Sequence, residues 1–374
     1  HQKLVGGEFA GKVKTGALIS DLQQVFVQSI LSGPKTPLRA MLGTTVNTYA
    51  NAINEAFGAM IRAPFTGDIA SRKASVAKLQ AYFQLIPEAY QVFQKQWNAK
   101  FDANIADIKT RYFDGSTITK GDQTFEAAGR WAELRGSPGE KAAFYGHNVT
   151  RQLTNNKLFG WSPRALAAVD DTYLWLMART RSKELAMREV LEAAGENHTK
   201  ITPELLKKAE DIHYNRLLDG NGNIDIRKDS WFQKQFEEVT LTSPLKGTAQ
   251  KLDSVFNDIP LIKPFYLFAR TGINGLNFSF KSTPLLGALH KESIDILSHK
   301  GTDFTKLAQY GIENANDLAN ARNLFAGRQA IGAAAVTTVS GLYMAGQLTG
   351  NGPADRKLRQ SWINAGWKPN HIYI

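Results

Sequence analysis

The chain reads as all-α, an elongated multi-helix bundle with little or no sheet. Three observations predict it: six Ser/Thr-Pro pairs, apolar residues spaced three and four apart, and few strand signals. In such a pair the hydroxyl oxygen caps free backbone N–H groups, and Pro at the first helical position has no N–H to leave unpaired. The pairs are Thr36-Pro37, Ser137-Pro138, Ser162-Pro163, Thr202-Pro203, Ser243-Pro244 and Thr283-Pro284. At Ser137, Glu140 adds a capping box.

Taken in order, Val76, Leu79, Phe83, Ile86, Tyr90, Phe93 and Trp97 place a wide apolar stripe on one helix face. Such a stripe predicts a core-facing helix or an oligomer seam, and Pro87 within it predicts a kink or break. A second long helix is expected over 163–194, with Leu166, Val169, Tyr173 and Leu176 on one side. Residues 112–122, with Thr117-Ile118-Thr119 between turn residues, suggest one small hairpin. Gly, Asn and Asp cluster near 112–122, 195–202 and 219–230. The expected regions are therefore an apolar helical part over 1–111, a middle helical part over 112–230 and a C-terminal helical part over 231–374. No repeat at a fixed period is visible.

Of the 374 residues, 43% are hydrophobic and 21% charged, a globular balance that argues against wholesale disorder. The polar, Gly-rich opening has no apolar signal-peptide core, and the first residue is His1, so a fragment of a longer polypeptide is expected. The absence of cysteine excludes disulfides, thiolate metal sites and cysteine nucleophiles. A net charge of +11 favours anionic partners. The candidate anionic contacts are Lys35, Arg39, Arg72, Lys73, Arg356, Lys357 and Arg359. They are scattered, which speaks for a general electrostatic bias over a DNA-reading face.

Catalytic motifs are missing: no phosphate loop, no HExxH, no GxSxG and no dinucleotide fingerprint. The seven histidines, His1, His147, His198, His213, His290, His299 and His371, are dispersed. The expectation is a non-enzyme with no catalytic residue, metal or cofactor. Two segments invite other readings. DGNGNIDI, from Asp219 to Ile226, imitates the middle of a calcium loop. In that register the two end ligands fall on Leu217 and Lys228, and a tight turn is the better reading. Asp170 and Asp171 with Glu184 and Glu189 imitate an acid–base set. Arg179, Arg181, Lys183 and Arg188 beside them point to a solvated face of helical ion pairs.

Residues 329–354 contain no charged side chain, and a helix of about 18–20 residues, the length of its central part AIGAAAVTTVSGLYMAGQL, just reaches across a bilayer core. Small residues dominate, so close helix packing is expected over 329–347 through Gly332, Ala335, Val336, Val339, Ser340, Gly341 and Ala345. Arg322 and Arg328 before it, and Arg356, Lys357 and Arg359 after it, are placed to hold lipid headgroups. The alternative is a buried helix in a soluble oligomer. A second candidate is 25–61, where Met41, Leu42, Val46, Tyr49, Ile53, Phe57 and Met60 form an apolar arm. It predicts either a hairpin dipping into a membrane or a sticky core.

Three blocks carry a resemblance. The first runs Ile30-Leu31-Ser32-Gly33-Pro34-Lys35-Thr36-Pro37 to Leu42-Gly43. The second holds Pro264-Phe265, Phe268-Ala269-Arg270-Thr271-Gly272-Ile273-Asn274 and Thr283-Pro284-Leu285, with Gly272 where proline is usual. The third joins Gly327-Arg328-Gln329-Ala330-Ile331-Gly332, Gly346-Gln347-Leu348-Thr349-Gly350-Asn351-Gly352-Pro353, Trp362, Gly366 and Lys368-Pro369, with His371 where a small residue is common. In this order they resemble segments of the large internal virion, or DNA-ejection, proteins of short-tailed bacteriophages. The resemblance implies a protein stored in the capsid and ejected with the genome to help form a conduit through the host envelope. The implied partners are copies of itself in a ring or tube, other phage core proteins, phage DNA held non-specifically, and the host inner membrane. The rival readings are a pore-forming module unrelated to phage and a non-catalytic part of a virion-borne enzyme.

A calcium titration is expected to show no sub-millimolar site. Binding in that range that disappears in Asp225→Ala would overturn the turn reading of 219–226.

Overall fold

In the computed structural model the described residues are 35–104, 160–195, 201–245 and 263–373, with isolated positions between 107 and 157. They form α1 (Lys35–Thr66), α2 (Ile69–Gln84), α3 (Ile86–Asp102), α4 (Trp161–Ala194), α5 (Pro203–Arg216) and α6 (Ser230–Val239). Then follow α7 (Lys263–Ser282), α8 (Leu286–Leu289), α9 (Lys291–Ser298), α10 (Ala315–Met344) and α11 (Arg356–Asn364). The all-α expectation holds. Among the described residues the only β pairing is two isolated bridges, Leu218 with Ile224 and Leu348 with Ile372. The hairpin expected over 112–122 lies outside the described residues.

Of the five α-helix starts with a side-chain cap among the described residues, four use Asp or Asn. Asp68 accepts from Ser71 N, Asp229 from Phe232 N, Asn314 from Asp317 N and Asp355 from Lys357 N. Of the Ser/Thr-Pro pairs, Thr202 caps as expected, accepting from Leu205 N at 3.2 Å. Two others do not. α4 starts at Trp161 with Gly160 as its cap, leaving Ser162 Oγ buried without a partner. Thr283 Oγ1 instead donates back to Ser279 O. Pro fits anywhere in the first helical turn, because no N–H there has an intrahelical acceptor. The pair therefore marks the turn and not the cap. Thr36-Pro37 falls in the first turn of α1. Residues 242–245 are not helical, and the chain after Ser243-Pro244, like most of that around Ser137, lies outside the described residues.

Pro87 breaks the chain as expected. α2 stops at Gln84, Leu85 N donates to Ala81 O, and Pro87 sits in the first turn of α3. The second long helix also appears, as α4, about 51 Å long at 1.5 Å per residue. Its Leu166, Val169 and Leu176 are buried.

Along α1 and α2 the inner face is not where large apolar residues gather. The buried face of α1 is Thr44, Thr48, Asn51, Ala52, Glu55, Ala56, Ala59 and Ala63, while Leu42, Val46, Ile53, Phe57 and Met60 point outward. In α2 the buried residues are Ser71, Ala74, Ser75, Ala77, Lys78, Ala81 and Tyr82. Phe83, Ile86 and Tyr90 are exposed, and α3 buries none of its side chains. The apolar stripe over Val76–Trp97 is therefore not core-facing along its length. The periodicity located the stripe correctly, but the small-residue face opposite it turned inward. Two conventional apolar clusters remain, one around Leu176, Met177, Leu217, Phe232 and Val239, the other around Ile296, Leu307, Ile312, Leu318 and Leu324.

The reason is the crossing of α1 and α10, whose backbones nearly touch. A Cβ on Gly58 would lie 1.8 Å from Asn323 O, and one on Gly327 would lie 1.7 Å from Asn54 O. Only glycine permits that approach. α10 thereby joins the chain's C-terminal region to α1 and, through Asn320, to α4.

Gly58→Ala and Gly327→Ala are each expected to cost about 1–3 kcal/mol or more, because the colliding atoms are backbone and the helices must part. Gly341→Ala in the same helix, where a Cβ meets nothing within 4 Å, should not lower Tm. Equal melting temperatures for all three variants would refute the crossing.

Candidate functional site

The close approach of the helices leaves room between them only for small and slender side chains, and several of these are charged. Lys78 from α2 stands between Glu55 of α1 at 2.8 Å and Glu184 of α4 at 3.0 Å, the latter an ion pair without hydrogen-bond geometry. Asn320 Nδ2 from α10 donates to the other Glu184 oxygen. Arg181, one turn earlier on α4, reaches Glu184 at 3.2 Å, Asp229 at 2.8 Å and Asp317 at 2.8 Å. Arg188, one turn later, donates to Asn320 at 2.7 Å, Asn316 at 3.1 Å and Ser71 at 3.3 Å. One network thus ties α1, α2, α4, α10 and the cap of α6.

A second network lies beside it. Glu238 of α6 accepts from Lys281 of α7 at 2.8 Å and from Arg328 of α10 at 2.7 Å. Lys281 also pairs with Glu292 of α9 at 2.8 Å, and Arg328 donates to Asn51 of α1 at 2.8 Å. The Arg328 guanidinium lies 5.3 Å over the Phe278 ring.

These facts correct the solvated-face reading of α4. Glu184 is 0% exposed, Arg188 3% and Arg181 4%. The remaining members lie at or near the surface, but they pair with other helices and not along α4 as expected: Glu189 with His213, Asp171 with Lys100, Arg179 with Glu210 and Asp211, and Lys183 with Gln84. Spacing alone cannot separate the two faces, because buried and solvated ion pairs repeat at the same helical interval. A usable signal was a lone charge inside a stripe of small residues: Glu55 near Ala52, Ala56 and Ala59, and Lys78 near Ala74 and Ala81.

Burial and charge act against each other on these groups. Burial raises the Glu184 carboxyl, but Lys78, Arg181 and Arg188 outweigh it and bring it down to about 2. Glu238 is likewise penalised by burial and is held well below the usual carboxylate range by Arg328 and Lys281. Glu55 has Lys78 as its cation partner, and burial together with the Glu184 charge pushes it up. Burial also pushes up Asp317, against the pull of Arg181.

The loop at 219–226 closes on itself. Asp219 Oδ1 accepts from Asn221 N at 2.8 Å and Asn223 N at 2.9 Å. Asp225 binds Arg227, and Lys228 Nζ donates to Leu218 O. These groups are engaged in a tight turn between α5 and α6.

A cavity of about 460 Å³ opens between α6, α7 and α9. Its walls mix Lys234, Lys281 and Lys291 with Glu238 and Glu292, and Lys281 is already committed to both carboxylates.

The residues expected to make a packing or membrane segment lie on the second half of α10. Up to Arg328 that helix is mostly covered; from Ala333 to Gly341 every residue is exposed. Gly332 meets Ser282 O, which a Cβ would approach to 2.3 Å, and Gln329 bonds Lys281 O and Leu285 N. Beyond them Ala335, Val336, Val339, Ser340, Gly341 and Ala345 are uncovered, with Val336 at 54% and Val339 at 53% exposure. The segment is thus not a buried helix within this chain. No helix among the described residues is long and apolar enough to cross a membrane.

Two of the flanking arginines are also reassigned. Arg328 is buried in the second ion network, and Arg322 donates to Ile296 O and His299 O at the end of α9. Neither is free for a headgroup. Of the other cations, Arg39 is exposed on α1, while Arg72 and Lys73 are half-buried on α2. Arg356 and Lys357 are exposed on α11, and Arg359 Nε donates to Asn351 O. Lys35 begins α1. The structure does not unite them into one patch; they divide among α1, α2 and α11.

Past α10, Gly346 turns the chain at φ +70°, and residues 347–373 close into a clasp. Leu348 bridges Ile372, Thr349 N donates to His371 O, and Tyr373 N donates to Gln347 O. A Cβ on Gly352 would lie 2.4 Å from the Trp367 ring. The part of the third block from Gly346 onward, with His371, therefore builds this clasp, while its Gly327–Gly332 part lies in α10.

No family model, no curated protein and no solved structure matches the chain.

The ionisation pattern fixes a pH dependence. Glu184 and Glu238 have lowered folded pKa values. The stability they contribute is complete above the unfolded value of about 4.3 and is lost as pH falls through the folded values. Glu55 and Asp317 are raised, so falling pH first relieves their ionisation and has the opposite sign. Chemical denaturation is therefore expected to show stability level or rising from pH 7 to about 5 and falling steeply between about 4 and 2. Glu184→Gln should lower stability at pH 7 by about 3–5 kcal/mol, the cost of breaking a buried pair, and should flatten the acid limb. An unchanged acid limb in that variant would contradict the assignment.

Proposed function

We propose that this chain is a structural and translocation component of a phage ejection apparatus, stored in the capsid and acting by assembly with copies of itself and contact with the host envelope. The observation that carries the assembly step is the inverted bundle. Small and polar or charged residues fill the inner face of α1, and large apolar residues of α1 and the second half of α10 face outward. Exposed apolar faces of that extent mark surfaces that pack against something else. Burying each such side chain contributes about 1.5–3 kcal/mol. The phage assignment draws on the three ordered sequence blocks, which span residues 30–371. In this reading the chain is not an enzyme, and its positive charge serves loose contact with DNA or headgroups.

Two experiments test the two halves. Mass spectrometry of purified virions of the source phage should find the chain, or a longer polypeptide containing it; its absence from virions removes the phage reading. Val336→Asp and Val339→Asp should leave Tm unchanged, because both positions are uncovered, while lowering the sedimentation coefficient of the assembled protein. Each charge would have to be buried unpaired in the assembled interface. Variants that assemble like the parent would show that the second half of α10 is not a seam.

A further inference from the structure

The clasp after α10 has a chemistry different from the neutral faces of α1 and α10. Its helix α11 spans nine residues, about 14 Å, far short of a bilayer core of about 30 Å. Leu358 and Trp362 stand one turn apart on one face; Arg356, Lys357, Gln360 and Asn364 occupy the other. Leu358, Trp362, Ile372 and Tyr373 are all exposed, and Trp367 lies edge-on to Trp362 with ring centroids 5.6 Å apart. Tryptophan and tyrosine, with an apolar body and a polar tip, favour the boundary between water and acyl chains.

The charge on the clasp is one-sided. From 346 to 373 the cations are Arg356, Lys357, Arg359 and Lys368, and the single acid is Asp355. The Asp355 carboxylate is occupied by Lys357 N and Leu358 N at the start of α11. Arg359 is held by Asn351 O. The side chains of Arg356, Lys357 and Lys368 make no bond to any described residue. Arg356 and Lys357 lie on the polar face of α11, opposite Leu358 and Trp362. A second copy of the clasp would meet the same positive charge, so this face is unsuited to self-association.

We propose that residues 347–373 form an in-plane docking element for an anionic lipid surface, with Leu358 and Trp362 at the acyl boundary and Arg356, Lys357 and Lys368 on lipid phosphates. It rests on the envelope contact of the reading above and assigns that contact to a non-spanning clasp that prefers anionic lipid. An amphipathic helix with cations on its polar face and Trp and Leu on the other binds such surfaces by apolar burial and electrostatic attraction together.

The test is flotation of the full chain with phosphatidylcholine vesicles, with and without phosphatidylglycerol. The parent is expected to float only with phosphatidylglycerol and to be released by salt. Arg356→Gln/Lys357→Gln/Lys368→Gln, three exposed positions whose replacement spares the fold, should weaken binding on the order of a hundredfold, roughly fivefold per cation. Trp362→Ser should weaken it as well, in a way that added salt does not mimic. A parent that floats equally on both vesicles, or variants that float like the parent, overturn the clasp assignment. In the second case membrane contact itself stands and passes to the outer face of α1. A parent that floats on neither overturns both, while the virion and assembly tests remain independent of this outcome. If the triple variant loses affinity for a DNA duplex but keeps its affinity for vesicles, the partner is nucleic acid and the lipid proposal is wrong.

Discussion

At Gly58 and Gly327 the backbones of α1 and α10 meet without side chains between them. That contact sets the spacing of the surrounding helices. On either side of it the interhelical space takes alanine, serine, asparagine and the slender ends of lysine and arginine, but not leucine or phenylalanine. Asn323, beside the crossing, donates to Ser71 at 2.8 Å, and Arg62 reaches Ala319 O across the same gap. Groups this close and this dry need partners, because an unpaired polar group in such a place is costly. The two ion networks are the consequence of a crossing too tight for an apolar core.

A polar interior of this kind defines the arrangement more than it strengthens it. Removing two charges from water costs about as much as their attraction returns, so a buried pair adds little net stability. What it adds is register. Glu184 meets Lys78, Arg181 and Asn320 together only if α2, α4 and α10 are aligned to within a residue. A slip along any helix strands a charge, which is far more costly than a shifted leucine. Where α1 meets α10 the large apolar side chains of α1 turn outward, so apolar burial there is left to small residues, while the clusters around Phe232 and Leu307 supply it elsewhere.

The all-α class was legible because helices announce themselves locally. Pro87 stopped α2, and Thr202 capped α5. Where the supposed cap failed at Ser162, Pro163 still fell in the first turn of α4, whereas Pro284 lies in the turn between α7 and α8. Which face points inward was not legible. Amphipathic periodicity gives the stripe through Leu42, Val46, Ile53 and Phe57, and equally the stripe through Thr44, Thr48, Asn51 and Glu55 on its back. Choosing between them requires knowing that Gly58 meets Gly327, a contact between residues 269 positions apart. The same non-locality hid the roles of Arg181, Glu184 and Arg328. For the candidate site, the absence of charge over 329–354 was readable; its abrupt change from covered to uncovered after Gly332 was not.

The two outward surfaces are suited to different neighbours. The faces of α1 and the second half of α10 are apolar and nearly uncharged, so like can meet like without repulsion, and assembly gains from burial alone. The clasp carries exposed cations on the side of α11 opposite tryptophan, an excess of positive charge that favours an anionic boundary over a second clasp. A protein with only the first surface would aggregate without orientation. One with only the second would bind a membrane as separate copies. The clasp follows the uncharged second half of α10 and is joined to it through Gly346, so the two kinds of surface adjoin in the chain.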